Sequence, residues 1–394
     1  MQRFVSLACL VSLVAPLAAQ GYSTGFEAPT FTGAAAGTPT AGQDGFYVPA
    51  VAGSIDGNIH TYAGNTLGVG ANPLGGAQFW GGLSAGGTAF ARSQRALTLP
   101  GTRIKVEFDV CCNYLGAVLP TNNLGSFSFQ PSTASIYFNI VAAYTPPIAF
   151  PPTTWDAIVI TRGTPPGTVV TPLPAPGFTG LPLGVWHHWV VTGNLIAGTY
   201  DSFTITNGAT AVTTTYVPAV PLLLPTSAIG APLPTDFRLF AGGTTAGNVF
   251  AIDNLTITYA AAYTAFGAGC PGALGVPTLT ATSLPVLGGT LNVTLGNAPV
   301  GVGIMITGFS NTLLGGAIPL PFALGGLGFP GCNLLVDPIA TDTVVGAPPS
   351  AAWSLAIPGT ISLLGALLYQ QGAVVDTGPA LLAFSGGGDI QIGL

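Results

Sequence analysis

Five residues with reactive side chains crowd into the stretch IKVEFDVCCNYLG at 104–116: Lys105, Glu107, Asp109, Cys111 and Cys112. Only 5% of the 394 residues are charged, so this concentration asks for a chemical reading. Side chains alternate across a strand. Ile104, Val106, Phe108 and Val110 therefore share one face and Lys105, Glu107 and Asp109 the other, the pattern of a half-buried strand. Two carboxylates in fixed geometry can cleave a glycosidic bond, one as nucleophile or base and the other as acid. The two thiols have neither the spacing nor the partners of a redox C-x-x-C or a zinc site. Neighbouring strand residues point apart, whereas a disulfide needs Cβ atoms about 3.8 Å apart. Cys111 and Cys112 are thus either bonded to each other where the strand breaks, or free.

The segment before this strand offers a structural account of the acids. FARSQRALTL (90–99) is followed by Pro100-Gly101, which suits a tight turn into TRIKVEFDV (102–110). Such a hairpin sets Arg92 opposite Asp109 and Gln94 opposite Glu107; a one-residue shift sets Arg95 opposite Glu107. In either register the acids gain cationic or polar cross-strand neighbours. Histidines are only His60, His187 and His188, and the consecutive pair points apart, so packing explains them better than joint metal binding. Trp186 and Trp189 read as framework. Trp80, in QFWGGLSAGG, and Trp155, in PPTTWDA beside Asp156, stand in Gly- and Pro-rich surroundings and are the candidates for stacking on a sugar. The matches Gly82-Leu83-Ser84-Ala85-Gly86 and Gly267-Ala268-Gly269-Cys270-Pro271-Gly272 are expected by chance at this glycine content, and no strand-to-helix context supports them.

The elements that must carry these residues are strands. Glycine (57) and proline (35) punctuate short runs of Val, Ile, Leu and Phe, hydrophobic residues reach 48%, and no segment shows a 3.6-residue apolar period. That combination predicts a folded, turn-rich all-β protein rather than a disordered one. Asn207-Gly208, between SFTIT and ATAVTTTYV, is a hairpin signal. Seven basic residues against thirteen acidic ones exclude a nucleic-acid or anionic-membrane partner. So little charge also leaves little protection against self-association. The opening MQRFVSLACLVSLVAPLAAQ has the parts of a secretory signal peptide, cut after Ala19. The later stretch LLGGAIPLPFALGGLGF (313–329) is broken by Gly and Pro, so no membrane span is expected in the mature, exported chain. Four cysteines then remain, permitting three connectivities; the favoured disulfide joins Cys270 to Cys332. Residues 260–394 contain no Lys, Arg or His, which marks a boundary: a first domain over 20–259, a linker at 260–265 and a second domain over 266–394.

Four places in the first domain carry a resemblance. Gly25-Phe26-Glu27, GQDGF (42–46), GVWHHWVVTGNLIAGTYDSFTITNG (184–208) and AIDNLTIT (251–258) resemble concanavalin A-like jelly-roll domains of laminin-G and MAM type. FGAGCPGALG (266–275) and GALLYQQGAVVD (365–376) resemble C-terminal modules of secreted bacterial proteins of unknown function. The resemblance implies a jelly-roll β-sandwich followed by a smaller β-sandwich. It also implies a structural calcium ion, for which Glu27, Asp44 and Asp253 are the candidate ligands, and no other cofactor. Glycosidases of the resembled group place Glu-x-Asp-x-Glu on one strand; here Cys111 or Cys112 replaces the last acid, so no catalytic residue is assigned. The expected function is non-enzymatic binding or adhesion to an extracellular polysaccharide or surface glycan. A self-assembling surface protein is the alternative, and a glycoside hydrolase comes behind both.

Overall fold

The computed structural model describes residues 21–97, 103–121, 123–130, 138–163, 168–174, 176–195, 197–225, 234–378 and 381–394. The expected signal peptide at 1–19 and the Pro100-Gly101 turn lie outside them. The described residues form two compact units, 20–258 and 259–394. Both are all-β.

Numbering only strands of three residues or more, the first unit has β1 (Tyr22–Thr24), β2 (Asn58–Thr61), β3 (Gln78–Leu83), β4 (Phe90–Ala96), β5 (Arg103–Tyr114), β6 (Asn123–Gln130) and β7 (Phe138–Ala143). It continues with β8 (Thr154–Arg162), β9 (Thr168–Pro172), β10 (Trp186–Asn194), β11 (Thr199–Thr206), β12 (Thr213–Tyr216), β13 (Asp236–Ala241) and β14 (Asn248–Tyr259). One sheet runs β12-β11-β10-β5-β14-β3-β2, with β1 added on β14; the other runs β9-β8-β7-β6-β13-β4. Together they make a jelly-roll sandwich. The inward faces meet in a core in which Ile104, Val106, Phe108 and Val110 of β5 lie with Phe127 and Phe129 of β6 and Phe237 and Leu239 of β13. Phe127 stacks on Phe108 at 5.6 Å and on Phe237 at 5.9 Å between ring centroids. Each of these fully buried rings contributes about 2–3 kcal/mol of transfer free energy. The apolar alternation of β5 thus sets its facing.

Its expected partner is corrected. β4 and β5 do not form a hairpin: β4 pairs with β13 in one sheet and β5 with β10 in the other. The arginines of β4 serve that second sheet. Arg92 donates to Ser54 Oγ (2.9 Å) and lies against the rings of Phe90 and Phe240. Arg95 lies 4.1 Å from the Tyr22 ring centroid, while buried Gln94 accepts two hydrogen bonds from Arg238. Alternation tells a strand which face to bury but not which strand to lie beside.

The second unit contains β15 (Ala262–Phe266), β16 (Thr278–Ala281), β17 (Thr290–Gly296), β18 (Val302–Gly308), β19 (Ala340–Val345), β20 (Ser350–Ala356), β21 (Leu367–Val375) and β22 (Leu382–Gln391). They form one antiparallel sheet, β15-β22-β21-β18-β19-β20-β17-β16, which doubles over so that Leu291, Val293 and Leu295 share a core with Met305, Trp353, Leu368 and Ile390. Residues 262–265 of the expected 260–265 linker belong to strand β15, paired with β22. The glycines of Ser385-Gly386-Gly387-Gly388 explain this edge. A Cβ on Gly387 would stand 2.3 Å from the Phe266 ring, and one on Gly388 2.2 Å from the Tyr263 hydroxyl, so the aromatic rings take the space that cross-strand side chains would fill. Cys270 and Cys332 are bonded, in a small cluster with Ile306, Leu324, Ala373 and Phe384.

Candidate functional site

The outward face of β5 is where the reactive residues gather. The β10 register sets Asp109 beside His188, Glu107 beside Val190 and Lys105 beside Thr192. On the other flank, in β14, Asn254 takes a left-handed φ of 49° and its N–H bonds back to Asp253 Oδ1 at 2.8 Å. A covering segment follows β2. Asn65 ties it into a loop through the N–H groups of Leu67 and Val69, and Trp186 Nε1 donates to Gly70 O at 2.8 Å. Tyr62 packs on Phe79 and Trp186, which brings Tyr62 and Asn72 over the polar end of the strand. Gly75 permits the close approach, since a Cβ there would stand 2.1 Å from Asp253 Oδ2.

The result is a continuous hydrogen-bonded row. Lys105 Nζ meets Glu107 Oε2 at 2.7 Å, and the other Glu107 oxygen meets His188 Nε2 at 3.1 Å. His188 Nδ1 meets Asp109 Oδ1 at 2.7 Å. Asn72 (2.8 Å) and Asn254 (2.7 Å) donate to Asp109 Oδ2. Asn72 also donates to Asp253 Oδ2 at 3.2 Å, and the Tyr62 hydroxyl donates to the same oxygen at 2.6 Å. Exposure falls sharply along the row: the side chains of Lys105, Glu107 and His188 are 24%, 31% and 30% exposed, that of Asp109 only 3%.

Electrostatics follow from this geometry. Hydrogen bonds that His188 donates to Asp109 and Glu107, outweighing burial, raise its imidazole to about 9, so it carries a proton at neutral pH. The His188 hydrogen bond, against burial and with help from Lys105, holds Glu107 down to about 2. Burial pushes Asp109 upward, but His188, Asn72 and Asn254 together outweigh it and leave the carboxyl below its ordinary value. Burial dominates at Asp253 and raises it to about 6. Two positive and two negative groups thus neutralise one another at the exposed end. Glu107 and Asp109 are both ionised and held by His188, while the carboxyl with the raised pKa, Asp253, is fully buried. The row does not assemble an accessible proton-donating acid beside a free carboxylate.

To one side the same face continues in hydroxyls. Thr192 bonds Ser202 at 2.7 Å, Thr204 bonds Thr215 at 2.9 Å and Thr206 bonds Thr213 at 2.8 Å, which extends a polar, uncharged surface across β10, β11 and β12.

No family model and no curated protein matches the chain. Among solved structures, it is similar to the basic winged bean lectin with Tn-antigen at 8% identity, over 60% of this chain and 97% of that one, with a TM-score of 0.33. It is similar to an alginate lyase from Pseudomonas aeruginosa at 12% identity, over 56% and 88%, with a TM-score of 0.29. Arcelin-5, a lectin-like defense protein from Phaseolus vulgaris, shares 7% identity over 60% and 96%, with a TM-score of 0.33. Overlaps this low identify no relative.

Several sequence expectations are corrected here. Trp80 is fully buried, with Nε1 donating to Ser93 Oγ at 2.9 Å and the ring so close to Gly57 that a Cβ there would lie 2.5 Å away. Trp155 is 1% exposed, packed on Trp189 and His187. Neither ring is free to stack on a sugar, because Trp80 lies in β3 and Trp155 in β8, each on the strand face turned into the core. Asp156 accepts from Gly180 N at 2.7 Å and holds a turn. The three residues expected to hold calcium have separate protein partners. Asp44 is engaged by Arg95 (3.4 Å) and Tyr22 (2.9 Å), whereas Glu27 Oε1 accepts from Ala77 and Gln78 N–H and Asp253 joins the row above. Each of the three carboxylates thus accepts from protein donors of its own, and no group of three or more metal-ligating side chains forms among the described residues. Ser84 is buried, its hydroxyl directed at the carbonyls of Gly243 and Thr245.

Cys111 and Cys112 are both free thiols. Cys111 lies under the covering segment with Trp186 and Phe79, and Cys112 in the main core. The strand stays regular through both, so their side chains point to opposite faces and no vicinal bond forms. Burial raises both thiols, Cys111 to about 12, which leaves them protonated and unreactive. A chain beginning at residue 20 is expected to release no thiolate to Ellman's reagent when folded and two per chain in guanidinium without reductant; two in the folded state would contradict this burial.

His188 is the residue that sequence reasoning missed. It is separated by 79 positions from Asp109, and only knowledge that β5 and β10 are neighbours brings the two together. Its neighbour His187 behaves as expected of a packed histidine, 1% exposed with Nε2 at 3.3 Å from Pro182 O.

Proposed function

We propose that this is an exported protein whose first unit binds a neutral extracellular polysaccharide on the outer face of the β12-β11-β10-β5 sheet, without cleaving it. The observation that supports this reading is the charge-compensated Lys105–Glu107–His188–Asp109 row, its first three members partly exposed, set beside the Thr192, Ser202, Thr204 and Thr206 hydroxyls. Polar groups held in place by one another lose little conformational entropy when a sugar hydroxyl approaches. An array without net charge favours an uncharged polymer over a sulfated or uronic one. The Cys270–Cys332 disulfide suits an oxidising compartment. The test is retention of the mature chain on immobilised polysaccharides, together with an assay for released reducing ends. Lys105→Ala and Glu107→Ala are expected to weaken retention roughly tenfold, the loss of one good polar contact. Absence of retention on every neutral polymer would overturn the reading. Release of reducing ends abolished by Glu107→Gln would replace it with hydrolysis.

A further inference from the structure

The turn between β11 and β12 begins with Asn207-Gly208, and the side chain of His187 in β10 bonds to its backbone. In an asparagine–glycine pair the glycine nitrogen can attack the preceding side-chain amide with little hindrance, because glycine has no Cβ to shield it. The turn is well fixed. Asn207 N donates to Val212 O at 2.9 Å, and Asn207 O accepts from Ala211 N at 2.7 Å. The side-chain oxygen Asn207 Oδ1 accepts from Ala209 N at 2.9 Å, whereas Nδ2 has no hydrogen-bond partner among the described residues. Gly208 is exposed, yet no other residue fits its place, since a Cβ there would stand 1.8 Å from Trp186 O.

The N–H of Gly208 points at a base. It donates to His187 Nδ1 at 3.3 Å, and a ring nitrogen that accepts carries no hydrogen. The other nitrogen, Nε2, lies 3.3 Å from Pro182 O, a carbonyl to which it can only donate. The two bonds together select the neutral tautomer with its hydrogen on Nε2. His187 is 1% exposed and packs against the Trp155 ring at 5.6 Å between centroids. That burial lowers its pKa below the ordinary value, which keeps it a free base at neutral pH. A general base must reach the proton it takes, and this one already holds it. Ala209 N–H, on Asn207 Oδ1, stands where negative charge develops when the side-chain carbonyl is attacked.

We propose that Asn207-Gly208 is a self-modification site, at which His187 catalyses conversion of Asn207 to aspartate and isoaspartate through a cyclic imide. His187 Nδ1 takes the Gly208 amide proton as Gly208 N attacks Asn207 Cγ, and the new C–N bond closes a five-membered ring. The tetrahedral intermediate places its charge on Oδ1, against Ala209 N–H. Collapse breaks the Cγ–Nδ2 bond, the proton passes from His187 to the departing nitrogen, and ammonia leaves. Water then opens the imide at either carbonyl, which gives aspartate or, with one more carbon in the main chain, isoaspartate. Either product adds a negative charge to a chain whose net charge is −6, at the end of β11 beside the Thr206–Thr213 hydroxyl pair. The Lys105–Glu107–His188 row takes no part, so the proposal stands apart from the polysaccharide reading.

Incubation of the folded mature chain at neutral pH, followed by chymotryptic digestion and mass spectrometry, tests it. Cleavage after Phe203 and Tyr216 releases residues 204–216, in which replacement of the side-chain amide by a carboxyl and the presence of isoaspartate are both read. A synthetic peptide of residues 204–216, which lacks the histidine, gives the uncatalysed rate under the same conditions. The folded chain is expected to convert at least roughly tenfold faster than the peptide. His187→Gln keeps an acceptor for the Gly208 N–H but removes the base, and should bring the folded chain down to the peptide's rate or below it. Isoaspartate among the products marks the imide, since direct hydrolysis of the side chain yields aspartate alone. A folded wild type that converts no faster than the peptide would overturn the proposal, and this comparison holds whether or not the variant folds. A folded His187→Gln chain that keeps the wild-type rate would overturn it as well.

Discussion

A chain carrying Cys270→Ala and Cys332→Ala will lose about 4 kcal/mol of stability, confined to the second unit. The bond closes a loop across a sequence separation of 62, and the chain-entropy relation for a loop of that size gives this magnitude at 25 °C. It also fastens the Phe322–Ala323 and Asn333–Leu334 ribbon to the sheet, through the cluster that Cys270 and Cys332 share with Phe384 and Leu324. Calorimetry of the mature chain is expected to show one of two transitions lowered by roughly 10–15 °C, the shift that this free energy produces in a domain of this size. The transition of the first unit should stay where it is. A double variant that melts within about 2 °C of wild type would show that the closed loop is already ordered without its cross-link.

The second large effect belongs to His188. Replacing it with leucine leaves Asp109 Oδ1 without its donor in a place where the side chain is 3% exposed, and it leaves Glu107 with Lys105 alone. A loss of about 2–3 kcal/mol is expected near pH 6, since Asp109 keeps its two asparagine donors and His188 is partly solvated. The pH profile distinguishes this ion pair from ordinary packing. His188 has its pKa raised from 6.5 to about 9, so its contribution is complete below pH 6.5 and lost as pH climbs through 9. Glu107 is lowered from 4.5 to about 2, so its contribution is complete above 4.5 and lost as pH falls through 2. Asp253 acts in the opposite sense: raised from 3.8 to about 6, it subtracts stability as pH rises across that interval. Buried His60 and His187, whose pKa values are lowered, act against Asp253 below pH 6.5, so the stage that His188 carries is the decline in the denaturant midpoint between about pH 6.5 and 9. His188→Leu should abolish this alkaline stage only. A variant that keeps the alkaline stage would remove His188 as its source.

Much of the fold was legible because it depends on local pattern. The period-two alternation of β5 gave its buried face. The Asn207-Gly208 signal marks a real hairpin, yet the residue with a left-handed φ is Ala211, at 57°. Gly208 is needed for another reason, since a Cβ there would meet Trp186 O at 1.8 Å. The site was less legible because it depends on which strands are neighbours. Asn72, Asp109, His188 and Asp253 come from four separate stretches, and nothing in one stretch announces the others. The same gap misplaced Arg92 and Arg95. Trp80 and Trp155 show a different limit: Gly- and Pro-rich surroundings suggest loops, yet both residues lie in strands, β3 and β8, with their rings in the core.

Lys105 is the chain's single lysine. The consequence is chemical addressability. Apart from the terminal amine, an acylating dye, biotin ester or amine-coupled sensor surface has one place to attach, and that place is paired to Glu107 in the middle of the candidate binding row. A label there would report directly on occupancy of the face, and ligand should shield it from acylation. A protein fixed to a surface through its amines would be held by the very face a polymer must reach, so the polymer rather than the protein has to be immobilised.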